Sequence, residues 1–352
     1  MIIKNLSFLN VRKISLFSEQ FLPQTNIIIG SNGSGKTSIL ESIVFLITGK
    51  SFRKKHTQSI IKKNKQEIQI KGIFQNEESL TIKLIYNGKK KQIFKNNQIL
   101  KRTTELIKDN AIVYVSPEEI DIIEEYKKEK QQYFDKIIFR INSEHIYNIK
   151  EYNKLLLYRN SLLENNMSTE PWDEPLSLAG LKIWKTRNNF FNFFCKIFNE
   201  TQKKLDLQLK YIIEYKNQEH ESKEEYIKKL QAKTKTNKTE VGPHKDVIDL
   251  YLNNDTIKEH ASQGEKKLFK YVLKFTEAEI IKTKNNNNPI ILLDDFFAKL
   301  DNENIMKIFS YFHRKFQVII TTTNTNTQIL ENIQKNNIDI KIFNNDKTIN
   351  SN

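Results

Sequence analysis

The chain of 352 residues is poor in cysteine, and its one cysteine, Cys195, excludes an internal disulfide and a multi-cysteine zinc site. That scarcity suits a reducing cytosol, so a cytoplasmic location is expected. Long apolar runs are missing too. Ile290 to Leu293 is among the longest, far short of the roughly 20 residues of a membrane-spanning helix, and no membrane partner is expected. The opening Met1-Ile2-Ile3-Lys4-Asn5-Leu6 alternates like a strand and lacks the basic head and apolar stretch of a secretory leader. No internal repeat is visible, and no heptad pattern is sustained long enough for a long coiled coil. What is present is the composition of a folded globular chain, with 38% apolar, 11% aromatic and 28% charged residues. Fifty-seven Lys and Arg against forty-two Asp and Glu give a net charge of +15, which favours polyanions such as nucleic acid. Part of that charge comes with a general saturation in Lys, Asn and Ile, the signature of an AT-rich genome.

Residues 1–117 read as strands around one helix. Leu80, Ile82, Leu84 and Tyr86 alternate up to an Asn87-Gly88 turn and a return strand through Ile93 and Phe94, a β-hairpin signature. From 118 to 238 the apolar period becomes helical. Ile146, Ile149, Tyr152, Leu155, Leu156 and Leu163 are expected on one face, as are Leu178, Leu181, Trp184, Phe191, Phe194 and Phe198 of a helical arm. Residues 239–352 return to strands alternating with helices. A strand is expected at Val247 to Leu252, a helix at Glu265 to Lys282, a buried strand at Ile290 to Leu293, a helix at Glu303 to Phe312 and a strand at Val318 to Thr321. This alternation implies a parallel sheet and an α/β fold.

Gly30-Ser31-Asn32-Gly33-Ser34-Gly35-Lys36-Thr37 satisfies the G-x-x-x-x-G-K-[ST] pattern between an apolar strand, Ile27 to Ile29, and a helix ending at Gly49. Glycines let the backbone N–H groups turn inward around phosphate oxygens, and the helix N-terminus adds partial positive charge. Lys36 is placed for the β- and γ-phosphates of ATP, and Thr37 for Mg²⁺. The strand Ile290 to Leu293 ends in Asp294-Asp295, which supplies a metal carboxylate, Asp294, and a carboxylate to polarise water, Asp295.

Ser262-Gln263-Gly264-Glu265 resembles the signature motif of ABC-type ATPases, and Ala298-Lys299-Leu300-Asp301 resembles their D-loop. Gly49-Lys50-Ser51-Phe52-Arg53, Tyr152-Asn153-Lys154-Leu155 with Arg159-Asn160, and Gly242-Pro243-His244-Lys245-Asp246 are more specific. With Leu292-Leu293-Asp294-Asp295, this set resembles the RecF family, SMC-like heads without the long coiled coil. The sequence departs from the pattern in Glu265 for the usual Gln, in Ala298, and in Val247 for a second Asp. Thr321, Thr322 and Thr323 occupy the place of the switch histidine. No Q-loop glutamine is clear, and the nearest stretch is Val115-Ser116-Pro117-Glu118. The resemblance implies an ABC/SMC-like P-loop ATPase head with a mixed sheet and an inserted helical domain.

It also implies a weak, DNA-stimulated ATPase that forms an ATP-dependent homodimer, in which Ser262, Gln263 and Gly264 of one copy reach the γ-phosphate held by the other and Asp301 assists. Single- and double-stranded DNA at gaps and junctions, RecR and RecO-like mediator proteins, recombinase loading and the SOS response follow from the resemblance alone. DNA contacts are expected at Arg53, Lys54 and Lys55, and less securely at Lys101 and Arg102. His244 is expected as a turn or interface residue rather than a catalyst. Two other readings remain: an ATPase subunit of another machine, a transporter or an SMC-like chromosome protein, or a basic binding module without catalysis. The 234 residues from Gly30 to Gly264 are more than transporter subunits carry between these motifs, and a plain binding module leaves the P-loop unexplained.

Overall fold

Clean alternation builds the first sheet. In β4 (Ile68–Gln75), Ile68, Ile70 and Phe74 point inward, and in β5 (Ser79–Tyr86), Ile82, Leu84 and Tyr86 do, so one face is core and the other polar. These strands join β1 (Ile2–Val11), β2 (Ile14–Gln20), β6 (Lys91–Lys95) and β7 (Gln98–Ile99) in an antiparallel sheet of order β2-β1-β4-β5-β6-β7. The Asn87-Gly88 turn lies between β5 and β6 as expected, with the Asn87 carboxamide oxygen accepting from the N–H groups of Lys89 and Lys90. A computed structural model of the chain describes residues 1–53, 57–76, 78–101, 106, 111–117, 122–220, 222–232, 237–285, 287–298, 300–323 and 340–344.

A second sheet is wholly parallel, with the order β14-β3-β13-β12-β8. Its strands are β3 (Thr25–Ile29), β8 (Ile112–Val115), β12 (Ile290–Leu293), β13 (Gln317–Thr322) and β14 (Ile340–Asn344). Every residue of β12 and β13 is buried, as parallel strands covered on both faces require. The P-loop helix α1 (Lys36–Thr48) buries every residue from Ser38 to Ile47, and its side chains share one core with strands of both sheets. Each of its buried Ile, Leu, Val and Phe side chains contributes about 1.5–3 kcal/mol. The helix ends where Gly49 takes φ 65 and donates its N–H to the Phe45 carbonyl.

The chain divides into two compact units, one comprising Met1–Ile120, Lys203–Leu207 and Gln263–Asn352, the other Asp121–Gln202 and Gln208–Ser262. Residues 239–262, grouped with the head on sequence grounds, belong to the second unit. This unit holds helices Lys127–Ile141, His145–Glu164, Glu170–Leu205 up to residue 202, and Lys223–Gln231. It also holds a three-stranded antiparallel sheet, β11-β10-β9, of β9 (Tyr211–Lys216), β10 (Val247–Leu252) and β11 (Asp255–Thr256). The β9 strand lies within the stretch read as helical. Leu178, expected on the inner face of its helix, is exposed. It lies six positions before Trp184, about 240° around the helix, and the true inner stripe includes Ser177, Gly180 and Arg187.

Two of the three motifs that carried the more specific resemblance, Tyr152 to Leu155 with Arg159-Asn160 and Gly242 to Asp246, meet in this second unit as one polar lock. Arg159 donates to Asp173, Thr239 and the Leu230 carbonyl, and Asn160 accepts from both N–H and O–H of Thr239. Arg187 bridges Asp135 and Asp246, while Trp184 and Tyr215 also donate to Asp246. His244 Nε2 lies 3.0 Å from the Thr239 carbonyl, so it carries the proton, and Nδ1 accepts from the Tyr152 hydroxyl at 2.7 Å. Burial pushes the imidazole down to about 4, so it is neutral near pH 7. His244 is thus a structural clamp, in line with the expectation that it is no catalyst.

Gly242 stands at the centre of this lock with φ 138, and a Cβ there would lie 2.2 Å from the Tyr152 hydroxyl and 2.6 Å from that of Tyr226. Gly242→Ala is expected to destabilise this unit by about 2–6 kcal/mol, adding backbone strain to overpacking. Both tryptophans, Trp172 and Trp184, lie in this unit, so thermal unfolding followed by tryptophan fluorescence reports it directly. An unchanged midpoint would contradict the lock.

Candidate ATPase site

The residues that matter here lie at the carboxyl ends of the parallel strands, the place where open α/β sheets bind ligands. The P-loop, Gly30 to Gly35, leaves β3, and Lys36 and Thr37 open α1. Gly33 and Gly35 take φ 81 and 92, which side chains other than glycine rarely tolerate. The Lys36 ammonium folds over the loop, donating to the Gly30 and Ser31 carbonyls at 2.6 and 2.8 Å. Ser34 is buried, and its N–H donates to the Ser31 carbonyl, which closes the loop.

Asp294 and Asp295 follow β12. Between their strand and the P-loop strand lies β13, in register with both. Thr321 of β13 therefore sits between the P-loop and the aspartates. Its hydroxyl donates to Asp294 Oδ1 at 2.7 Å and accepts from the Asp295 N–H at 2.9 Å. Thr37 donates to Asp294 Oδ1 at 3.0 Å, and Ser116, after β8, donates to Oδ2 at 3.1 Å. Burial pushes the Asp294 carboxyl above its ordinary range, and these three hydroxyls with Arg53 pull it back toward the carboxylate. Among the described residues no cluster of three or more His, Cys, Asp or Glu could hold a metal. The adjacent oxygens of Thr37 and Asp294 instead fit a hard cation that shares its shell with phosphates and water.

Asp295 adopts φ 51, a left-handed conformation that costs a non-glycine residue about 1–3 kcal/mol. The surrounding bonds hold it there, since the next N–H, of Phe296, also donates to the Thr321 carbonyl, and Phe296 and Phe297 are buried. The carboxylate lines a cavity of about 640 Å³ together with Asn32, Lys36, Thr37, Asp294 and Thr321. Arg12, Lys13, Arg53 and Lys63 line it as well, so five cations face two carboxylates. That balance suits a polyphosphate.

Sequence reasoning missed Arg12, Lys13 and Lys63, which the β1–β2 turn and a later loop bring to the cavity. It also missed Glu41, a fully buried carboxylate of α1. Glu41 accepts from Arg12 in a two-pronged pair at 2.6 and 3.0 Å and from Ser51 at 2.5 Å, and Arg53 Nε lies 3.6 Å away. A polar residue buried in an otherwise apolar helix was the available signal. Other expected residues fall elsewhere. Ser262 and Gln263 are exposed, and Gln263 and Gly264 open the helix Gln263–Asn285 without lining the cavity. Asp301 is exposed and caps the helix Asn302–Phe312, accepting from the Asn304 N–H at 2.7 Å; the N–H and side chain of Asn304 hold its carboxyl below the ordinary range. Lys101 is exposed, while Lys54, Lys55, Arg102, Glu118 and Lys299 lie outside the described residues.

A P-loop, a strand ending in two aspartates and a signature helix, assembled on a parallel sheet beside an antiparallel one, define an ATPase head of the ABC/SMC type. The sequence model of the RecF/RecN/SMC N terminal domain matches residues 2–349, and the chain belongs to the RecF family within that group. It is 31% identical over 345 residues to the DNA replication and repair protein RecF of Alkaliphilus oremlandii, covering 92% of this chain and 93% of that one. Among solved structures it is similar to the recombination mediator protein RecF-ATP in the RecFOR pathway, with TM-score 0.77, 28% identity and 92% of each chain covered. The Smc head domain of Pyrococcus furiosus, at TM-score 0.54 and 16% identity over 94% of this chain and 91% of that one, shares the fold. No helix among the described residues is long and apolar enough to cross a membrane.

Proposed function

We propose that this chain is a cytoplasmic DNA-repair ATPase that dimerises on binding ATP, binds DNA at gaps and single–double-strand junctions, and helps load recombinase with RecR and RecO-like partners, in recombinational repair and the SOS response. The observation that carries the dimer is the placement of the signature residues. Ser262 and Gln263 are exposed at the start of a helix, where a hydroxyl, N–H groups and the helix dipole form an anion site, yet Gln263 and Gly264 do not line this chain's own cavity. The γ-phosphate held by a second copy satisfies that site.

Lys36 and the P-loop N–H groups bind the β- and γ-phosphates, and Thr37 and Asp294 would hold Mg²⁺, which would supply neutralisation of the phosphate oxygens. Asp295 orients the attacking water in line with the bond that breaks. Asp301 belongs to the surface that meets the second copy. Arg53, with Lys54 and Lys55, contacts the DNA backbone, and two heads joined by ATP present one continuous basic groove. DNA binding then stimulates a slow hydrolysis.

Sedimentation with and without ATP and gapped duplex tests all of this together. The wild-type chain is expected to sediment as a dimer only with ATP and to bind DNA only in that state. Its log affinity should fall with log salt by about 0.9 per phosphate neutralised on duplex. Ser262→Arg should keep nucleotide affinity within about twofold while abolishing dimerisation and turnover, since it blocks a contact made across copies. Normal dimers and hydrolysis in Ser262→Arg would reject the shared site, and equal DNA binding without ATP would reject the gating.

A further inference from the structure

Lys267 lies in the first turns of the helix Gln263–Asn285, the helix that starts with the signature residues. Its ammonium donates to the carbonyls of Asp295 at 3.0 Å and Phe296 at 3.1 Å, and also to that of Ala298. An ammonium has three donors, and the turn after β12 presents three acceptors to it. An aromatic ring flanks the same ammonium. Lys267 Nζ lies 5.8 Å from the ring centre of buried Tyr271, which packs edge-on against Phe296.

Asp295 is consequently gripped on both sides of its Cα. Thr321 takes its N–H, and Lys267, with the Ala298 N–H beside it, takes its C=O, while its φ of 51 sets the direction of the carboxylate. A residue held in an unfavourable backbone region keeps that geometry only while its surroundings over-determine it. One of the two grips comes from the signature helix.

We infer that Lys267 is a positioning residue that ties the signature helix to the water-orienting Asp295 of the same chain. This rests on the reading of Asp295 and the signature helix given above. When the start of the helix engages a phosphate held by a second copy, the displacement reaches the Asp295 carbonyl within one turn and a half of helix. Hydrolysis in each chain's own P-loop then depends on occupancy of the other, and the two sites fire as a pair. Lys267 does not line the nucleotide cavity, so its effect appears in the rate of the chemical step and not in nucleotide affinity.

The test uses the full chain and compares Lys267→Met, Lys267→Arg, Asp295→Asn and the Lys267→Met/Asp295→Asn double variant, with a fluorescent ATP analogue for affinity and single-turnover hydrolysis for the chemical step. Lys267→Met should bind within about twofold of wild type and hydrolyse about tenfold or more slower, with Lys267→Arg restoring the rate to within about threefold. The double variant should be no slower than Asp295→Asn alone, because both changes act through one carboxylate. Effects that multiply, or a normal rate in Lys267→Met beside an inactive Asp295→Asn, would overturn the role of Lys267 alone. A normal rate in Asp295→Asn would instead remove the water-orienting role on which it depends. If Lys267→Met does not fold, Lys267→Gln is read by the same criteria.

Discussion

Lys36→Ala is expected to lower ATP affinity by at least about a hundredfold and to abolish every ATP-dependent association. The magnitude follows from the bonds lost. A charge-assisted hydrogen bond contributes about 1.5–3 kcal/mol, and the ammonium serves two phosphates, so the loss is about 3–6 kcal/mol. At about 1.4 kcal/mol per tenfold, that is roughly a hundred- to ten-thousandfold. Arg12, Lys13, Arg53 and Lys63 still line the cavity and preserve weak, non-productive attraction for polyphosphate. Lys36 is not part of the apolar core, so the melting temperature without nucleotide should hold while the ATP-induced rise disappears. Unchanged affinity in a fluorescence titration would reject the P-loop assignment.

Asp295→Asn should separate binding from chemistry. Asparagine keeps the size of the side chain and is among the residues that best tolerate positive φ, so the turn at φ 51 survives the change. Lys36, Thr37 and Asp294 are untouched, and ATP affinity should stay near wild type. What disappears is the negative charge proposed to orient and polarise water, an expected loss of about 10²–10⁴ in rate for groups of this kind. Steady-state turnover should collapse while the ATP-bound dimer persists. Normal turnover would move the role to another residue.

The geometry around the P-loop was legible because it is local. Eight consecutive residues specify a glycine-turned loop opening a helix, and an apolar strand runs into two aspartates at the same end of the sheet. The grip around them was not legible, because Thr321, Ser116 and Lys267 reach the aspartates from three other elements and only strand order brings them together. The same limit explains β9. Its six residues find their partner in β10, more than thirty positions later, and such pairing leaves little local trace. Of the inner stripe of Glu170–Leu205, Trp184, Phe191, Phe194 and Phe198 are buried as read, and only Leu178 was misplaced, because Ser177 and Arg187 share the buried face and polar residues there carry no apolar period. Arg159, Asn160 and Gly242 to Asp246 were recognisable as a pattern, but their purpose as one lock emerges only when segments some eighty residues apart meet.

The buried Glu41 has a consequence for how this sequence can change over generations. It is shared by Arg12, from the turn before the P-loop strand, and by Arg53, from the segment after the P-loop helix. Losing Arg12 alone would leave a carboxylate with no exposure in the middle of a core helix held only by the Ser51 hydroxyl and the more distant Arg53, a defect of up to about 3–5 kcal/mol. Losing Glu41 alone would leave two guanidiniums repelling each other at the mouth of the cavity. Drift at any of the three positions is therefore conditional on the others. The trio is expected to be replaced together or kept together, even though its members lie up to forty-one residues apart in the chain.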